Sequence, residues 1–213
     1  MSEIYVLAGA GESELVEKRS RFLGHLRPAT SEEEARAFIE KVKKEHYDAR
    51  HNCWCYRIGP SVERYSDDGE PQGTAGVPML EVLRREGVTD AVCVVTRYFG
   101  GVLLGAGGLL RAYTQSAKDA LDAAGLCVVR PWEALLLSCP YALLERMKLE
   151  TAAFDGVVED CAYGAEVELR VLLPAERSAA YQARVFDCSA GAVRALPQGK
   201  CSRPAPFRAP KGR

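Results

Sequence analysis

DAVCVVTRYFGGVLLGAGGLLRAY, Asp90–Tyr113, is the stretch on which the fold turns. Its opening, Asp90–Thr96, is almost continuously apolar, with valines around Cys93. Such a run predicts a central strand covered on both faces. Glycines then punctuate the chain at 100, 101, 105, 107 and 108. From about Leu109 to Ala124 the pattern becomes helical, and Gly125 stops it. A buried strand, a glycine-rich turn and a long helix in succession describe a mixed α+β domain.

Upstream, Ile4–Ala8, Ser13–Lys18 and Arg21–Arg27 read as strands, the first two around the turn AGAGE. Ser31 and Glu34 fit a capping box, and Ala35, Phe38, Ile39 and Val42 form the apolar stripe of the helix that follows. His51–Ile58 reads as a strand. Asn52, Trp54, Tyr56 and Ile58 share one of its faces, and His51, Cys53, Cys55 and Arg57 the other. Gly59–Gly76 reads as one long loop, a length that is often functional. Pro78 opens a short helix to Arg85.

Downstream, Cys127–Trp132 reads as the crossing into a second unit. Leu135–Cys139, Tyr141–Thr151, Gly156–Ala162, Glu166–Leu173, Pro174–Asp187 and Ala192–Leu196 give the order βαββαβ, the ferredoxin-like pattern. The expected organisation is an α+β first domain over residues 1–126, a ferredoxin-like second domain over 133–196, and a flexible basic tail over 197–213.

The net charge of −1 conceals an uneven distribution. Residues 1–130 carry 17 basic and 19 acidic groups, residues 131–193 carry 5 and 10, and residues 194–213 carry six basic groups and no acid. The expected body is mildly acidic, which argues against a broad nucleic-acid footprint but leaves room for a local basic patch. The start of the chain lacks the basic-then-apolar pattern of a signal peptide, and no apolar run is long enough to span a bilayer, so a cytoplasmic protein is expected. All eight cysteines are scattered without a CxxC pair, and free thiols are expected.

Three segments carry candidate chemistry. In Thr96–Tyr113 the glycines and the start of a helix favour an anion, flanked by Arg97 and Arg111. The same glycines equally suit tight packing of strand against helix. In SDDGEPQGTAG, Ser66–Gly76, three readings are open. Asp67, Asp68 and Glu70 suit a hard cation or general-base chemistry, or pairing with Arg97 or Arg64, or plain turn formation. In HNCWCYR, His51, Cys53 and Cys55 share a strand face, but no fourth zinc ligand is in evidence, and half-buried strand residues are the simpler reading. No cofactor or metal is assigned.

The segments SRFLGHL, DARHNCWCYRIG, SDDGEPQGTAG and VVTRYFGGVLLGAGGLLRAY, in that order, resemble the N-terminal domain of the YigZ/IMPACT family from about Lys18 to Ala124. The part from about Glu133 to Leu196 resembles the smaller C-terminal domain of the bacterial members. The resemblance implies a first domain with the fold of ribosomal-protein and elongation factor G domain IV modules, and a second like domain V of that factor. It also implies a link to translation, since eukaryotic relatives act in translational control through a protein partner. Their partner-binding domain has no counterpart here. Motif positions carried over are His51, Asn52, Asp67, Asp68, Gly69, Glu70, Pro71, Gly73, Thr74, Gly76, Arg97, Phe99, Gly100, Gly101, Gly105 and Gly107. Relatives commonly have lysine where this chain has Val77, which removes one cation from the expected site.

The expectation is a regulatory or binding factor rather than an enzyme, contacting ribosome, RNA or a translation protein. Its expected site is His51, Asn52, Asp67, Asp68, Glu70, Thr74, Arg97, Gly100, Gly101, Gly105, Gly107 and Arg111, with an anion at the glycine loop. Two alternatives stand beside it. One is an enzyme acting on a small phosphorylated or carboxylated substrate, and the other is a protein-interaction adaptor suited to the acidic second domain.

Overall fold

The structure, a computed structural model, describes residues 4–210. They divide into two units, one running up to Val129 and resuming at Pro204, the other Arg130–Arg203.

In the first unit the elements are β1 (Ile4–Leu7), β2 (Gly11–Glu17), β3 (Ser20–Pro28), α1 (Glu32–Glu45), β4 (His51–Ile58), β5 (Val62–Ser66), α2 (Gly76–Arg85), β6 (Ala91–Tyr98) and α3 (Ala106–Ala124). The antiparallel sheet runs β2-β3-β6-β4-β5. The apolar strand is central, as its composition requires, because helices cover both faces of the sheet. Cys93 and Val95 of β6 join Phe22, Leu26, Cys53 and Cys55 against α2 and α3. Val92 and Val94 point the other way and pack with Tyr56 against Ala35, Ile39 and Val42 of α1. Burial of this kind stabilises by roughly 25 cal/mol for each Å² of apolar surface removed from water.

Local signals at α1 act as written in the sequence. Ser31 Oγ accepts from the Glu34 amide at 3.2 Å, and the Glu34 carboxylate reaches back to the Thr30 amide at 2.7 Å. The reach is one residue beyond the cap, so the box closes on Thr30 rather than on Ser31. The long loop is shorter than expected. Val62–Ser66 pairs with β4 from Trp54 to Ile58 as β5, leaving residues 67–75 irregular. Glycine and proline on both sides of this short arm hide it from a composition-based reading.

The turn AGAGE does not close a hairpin. β1 pairs instead with residues 126–129, the start of β7 (Leu126–Cys139), and Thr89 donates its amide to the Tyr5 carbonyl at 2.9 Å. Gly11 shows why β2 runs where it does. A Cβ there would lie 2.0 Å from the Ala120 carbonyl and 2.6 Å from the Ala124 amide, so strand and helix backbones touch.

In the second unit the rest of β7 is followed by one 3-10 turn (Tyr141–Leu143), α4 (Leu144–Ala153), β8 (Val157–Tyr163), β9 (Val167–Pro174), α5 (Ala175–Cys188) and β10 (Ala195–Arg208). β10 pairs β7, which in turn pairs β9, and β9 pairs β8. This is the ferredoxin-like βαββαβ arrangement. Its core joins Leu135, Leu137, Val167, Leu169 and Val171 to Met147, Tyr181 and Val185 of the two helices. The expected flexible tail is a correction. Residues from Ala195 through Arg208 form a strand, and Arg203 pairs with Glu159. Prolines and basic residues masked an edge strand that is satisfied by pairing on one side. Lys211 and Arg213 lie outside the described residues. All eight cysteines are unpaired.

The contact at Gly11 yields a paired prediction. Gly11→Ala lowers unfolding free energy by about 2 kcal/mol or more in urea titration, because a methyl group must displace backbone. Gly9→Ala, where a Cβ meets nothing within 4 Å, changes it by less than about 0.5 kcal/mol. Equal effects at the two positions would contradict the close approach of β2 and α3.

Candidate functional site

The acidic loop is built on its own backbone. The Asp67 carboxylate accepts from the amides of Gly73, Ala75 and Gly76 at 2.8, 3.1 and 2.8 Å. Those bonds hold the chain in the turn that leads into α2. Asp68 sits at φ 44°, a left-handed conformation that a short acidic side chain tolerates. Its carboxylate accepts from the Asn52 amide at 2.7 Å and pairs with Lys43 of α1 at 3.1 Å. The Thr74 hydroxyl donates to the Pro71 carbonyl at 2.6 Å. Of the three readings of this loop, turn formation describes Asp67, which binds the loop's own amides, and neither Asp67 nor Asp68 pairs with Arg97 or Arg64. Arg64 plays no part in it and donates to the Glu63 carbonyl.

Glu70 meets Arg97. Nη1 of Arg97 lies 2.6 Å from Glu70 Oε1, and both side chains are almost wholly buried, at 6% and 3% exposure. Tyr113 of α3 donates its hydroxyl to the same oxygen at 2.9 Å. The guanidinium lies 5.5 Å from the rings of both Phe22 and Phe99. A buried ion pair costs desolvation of both partners, and extra hydrogen bonds and ring contacts of this kind offset that cost. Cys53 lies beside the pair, its sulfur 3.3 Å from the Tyr113 hydroxyl and 3.0 Å from the Asp67 carbonyl. Burial pushes both the Cys53 thiol and the Tyr113 phenol well above their ordinary range, so both stay protonated at neutral pH.

Above this pair lies an open cleft of about 410 Å³, lined by Arg50, His51, Gly69, Glu70, Pro71, Arg97, Phe99 and residues 103–106 with Leu109. His51 Nδ1 lies 2.8 Å from the Asp68 carbonyl, which can only accept, so that nitrogen carries a proton. Nε2 is then left on the side of Glu70 Oε2, 3.9 Å away. The acidic and glycine loops thus face each other across one cleft, at the end of the sheet where α3 begins.

Not every expected residue lines it. Asn52 faces the α1 side, where its Oδ1 accepts from the Thr96 hydroxyl at 2.7 Å. Arg111 is exposed and borders a separate hollow with Leu15, Glu17 and Leu110. The glycines divide by cause. A Cβ on Gly100 would lie 2.1 Å from the Arg19 carbonyl carbon, so packing explains it. Gly101 and Gly105 have φ of 82° and 72° with open space around them, so backbone conformation explains them. Gly107 has neither reason, since a Cβ would meet only Arg111 Nη1 at 3.7 Å. Val77 lies in α2 and is not among the cleft residues, so the missing lysine leaves this lining unchanged. Three participants went unassigned in the sequence: Arg50, Tyr113 and Lys43. Arg50 had a signal in its adjacency to His51; Tyr113 had one in standing a helical turn beyond Leu109. Asp67, Asp68 and Glu70 are held by separate donors, and among the described residues no group of three His, Cys, Asp or Glu side chains is placed to hold a metal ion.

The buried pair predicts strong coupling. Arg97→Met destabilises by about 3–5 kcal/mol because it leaves Glu70 buried without its cation. Adding Glu70→Met recovers part of that loss, and urea denaturation of the two single variants and the double variant measures it. Costs that simply add would show that the pair is not coupled.

Comparison with known proteins places this geometry in a lineage. Residues 18–121 match the Impact N-terminal domain and residues 137–192 match the domain of unknown function DUF1949. The chain is 38% identical to the IMPACT family member YvyE of Bacillus subtilis over 88% of this chain and 87% of that one. It is 40% identical to the IMPACT family member YigZ of Escherichia coli over 84% and 90%. A crystal structure described only as that of a hypothetical protein superposes with a TM-score of 0.59 at 38% identity, covering 92% of this chain and 97% of the other. Fold, motif order and length agree across both units, and the chain belongs to the IMPACT family.

Proposed function

We propose that this chain is a translation-linked binding factor, not an enzyme, and that its first unit contacts RNA of the translation apparatus through the rim of the cleft. The observation that carries the reading is the mixed character of that rim. The glycine loop presents Leu103 at 83% exposure with Phe99 and Val102 half-exposed. Arg50 lines the cleft beside Phe99 and Leu103, and the backbone of Arg19 touches Gly100. Lys18 and Arg111 add exposed cations on the flanks. Cations bind phosphates, and exposed apolar and aromatic groups receive unstacked bases. The acidic balance of the whole chain confines such contact to this patch. The link to translation rests on the family.

The chemistry inside the cleft favours binding over turnover. Glu70 is taken by Arg97 and Tyr113, Asp67 and Asp68 are spent on the loop, and burial keeps the Cys53 thiol protonated. A cytoplasmic location follows from a ribosomal role. Among the described residues no helix is long and apolar enough to cross a membrane.

Co-sedimentation with ribosomes over a salt series tests the reading. The intact chain binds, and its affinity falls steeply with salt. A variant carrying Lys18→Glu, Arg19→Glu and Arg50→Glu lowers the salt slope by about 2–3, one for each lost phosphate contact. Binding unaffected by the three reversals would overturn the proposal. So would turnover of a small phosphorylated or carboxylated compound that disappears in His51→Gln, which would make the protein an enzyme.

A further inference from the structure

The first unit's sheet ends in an open strand. β2 is the outermost member of the order β2-β3-β6-β4-β5 and pairs only with β3 among the described residues. Its register runs unbroken from Gly11 opposite Leu26 to Glu17 opposite Ser20, and its seven residues include no proline and no lysine. The hairpin turns on Lys18 and Arg19, at φ 47° and 68°, the two positive values of a type I′ turn. In such a hairpin Glu17 and Ser20 exchange backbone hydrogen bonds, and the bonded positions recur at Leu15 and Ser13. The amides and carbonyls of Glu12, Glu14 and Val16 therefore point away from β3. Other outer strands are blunted in familiar ways. β1 and β5 have only four and five residues. β8 has a register shift between Val158 and Asp160, and β10 contains Pro197, Gly199 and Pro204.

Beside this edge runs a groove. α3 packs along β2, where Ser13 Oγ donates to the Ser116 carbonyl at 2.8 Å and Gly11 touches the backbone at Ala120. Further along, strand and helix part. A hollow of about 410 Å³ opens there, lined by Leu15, Glu17, Leu110, Arg111, Thr114 and Gln115. Leu110 is 46% exposed. Side chains alternate along β2, so Ser13, Leu15 and Glu17 face α3 while Glu12, Glu14 and Val16 face the other way. A strand laid against β2 would send every second side chain into the hollow and place the others beside Glu12 and Glu14. Charge selects what that strand can be. β2 carries three glutamates and no cation. Glu12 and Glu14 meet Arg27 and Arg21 of β3 through exposed pairs at 3.3 and 2.9 Å. A second copy in the fullest antiparallel overlap would set Glu14 against Glu14, which is destabilising. Cations opposite the same positions are favoured, and the phosphates of a nucleic acid are not.

We propose that the β2 edge takes up an extended segment of another protein, in which lysine or arginine alternates with apolar residues, as an added strand of this sheet. Main-chain hydrogen bonds to Glu12, Glu14 and Val16 supply the affinity. Apolar side chains of the segment enter the hollow beside Leu15 and Leu110, and its cations meet Glu12 and Glu14. An open strand edge with a side-chain pocket beside it is the arrangement that strand addition requires. This surface lies outside the lining of the cleft and does not rest on the RNA reading above.

Amide hydrogen exchange and isothermal titration calorimetry on the intact chain test it, with synthetic peptides matching the length of β2. One peptide alternates lysine and valine, a second has glutamate for lysine, and a third is the lysine peptide with its backbone nitrogens methylated. In the free chain the amides of Glu12, Glu14 and Val16 exchange fast, while those of Ser13 and Leu15 are protected by β3. The lysine peptide binds and slows exchange at the first three. The glutamate and methylated peptides bind about tenfold or more weakly. Glu14→Pro removes one outward amide without breaking a bond to β3, so it lowers affinity about tenfold with little change in Tm. Glu14→Lys keeps the amide, weakens the lysine peptide and strengthens the glutamate peptide, and it carries the test if the proline variant does not fold. No binding of the lysine peptide, equal affinity for all three peptides, or slow exchange at Glu12, Glu14 and Val16 in the free chain would each overturn the proposal. Protection of those amides by self-association would assign the edge to a second copy, and protection by RNA would assign it to nucleic acid; either result would also overturn it.

Discussion

The contact between Arg97 and Glu70 organises the first unit. It joins the end of the central strand to the acidic loop, and through Tyr113 it fastens both to α3. Everything around it follows from the need to make a buried charge pair tolerable. Asp67 ties the loop's own amides so that Glu70 is delivered inward. Phe22 and Phe99 each lie 5.5 Å from the guanidinium, and Ser20 Oγ accepts from the Gly100 amide at 3.2 Å so that the glycine loop passes close by. The pair is less a source of net stability than a registration device, since hydrophobic replacements of buried pairs are often no less stable. What it specifies is the separation of two loops, and that separation is the cleft.

The same arrangement explains why the acids of this loop are poor candidates for catalysis or metal binding. Each is neutralised by a different donor set, and none projects a free carboxylate into the cleft at a distance shared with the others. Among the lining residues the groups left open are Arg50, a donor, and the far nitrogen of His51, an acceptor in this tautomer.

Much of this was legible in the sequence where a single local cause acts. The continuous apolar run at Asp90–Thr96 announced a strand covered on both faces, and Ser31 with Glu34 announced the start of α1. Alternation along His51–Ile58 correctly separated Cys53 and Cys55 from Trp54 and Tyr56. Opposite charges in the two glycine-rich segments pointed to their meeting, though only the structure selects Glu70 as the acid that pairs. Other features depend on partners distant in sequence. β5 and β10 are short of intrinsic strand signals and exist because β4 and β7 offer open edges. β1 pairs with residues 126–129 and Gly11 of β2 lies against α3, partners more than a hundred residues on. Arg111 was misplaced for a related reason: helical phase about α3 turns it away from the cleft, and proximity in sequence to the glycines does not reveal that phase.

The central claim is that the cleft and its rim are where this protein meets its partner. Amide chemical-shift mapping of the isotopically labelled chain, titrated with a 5′-phosphorylated RNA oligonucleotide, tests it most directly. The account predicts that the largest perturbations fall on Arg50, His51 and the segment from Phe99 to Leu109, with smaller ones at Lys18 and Arg19. Perturbations concentrated in the second unit, with the amides of Ala106, Gly107 and Gly108 unmoved, would contradict it.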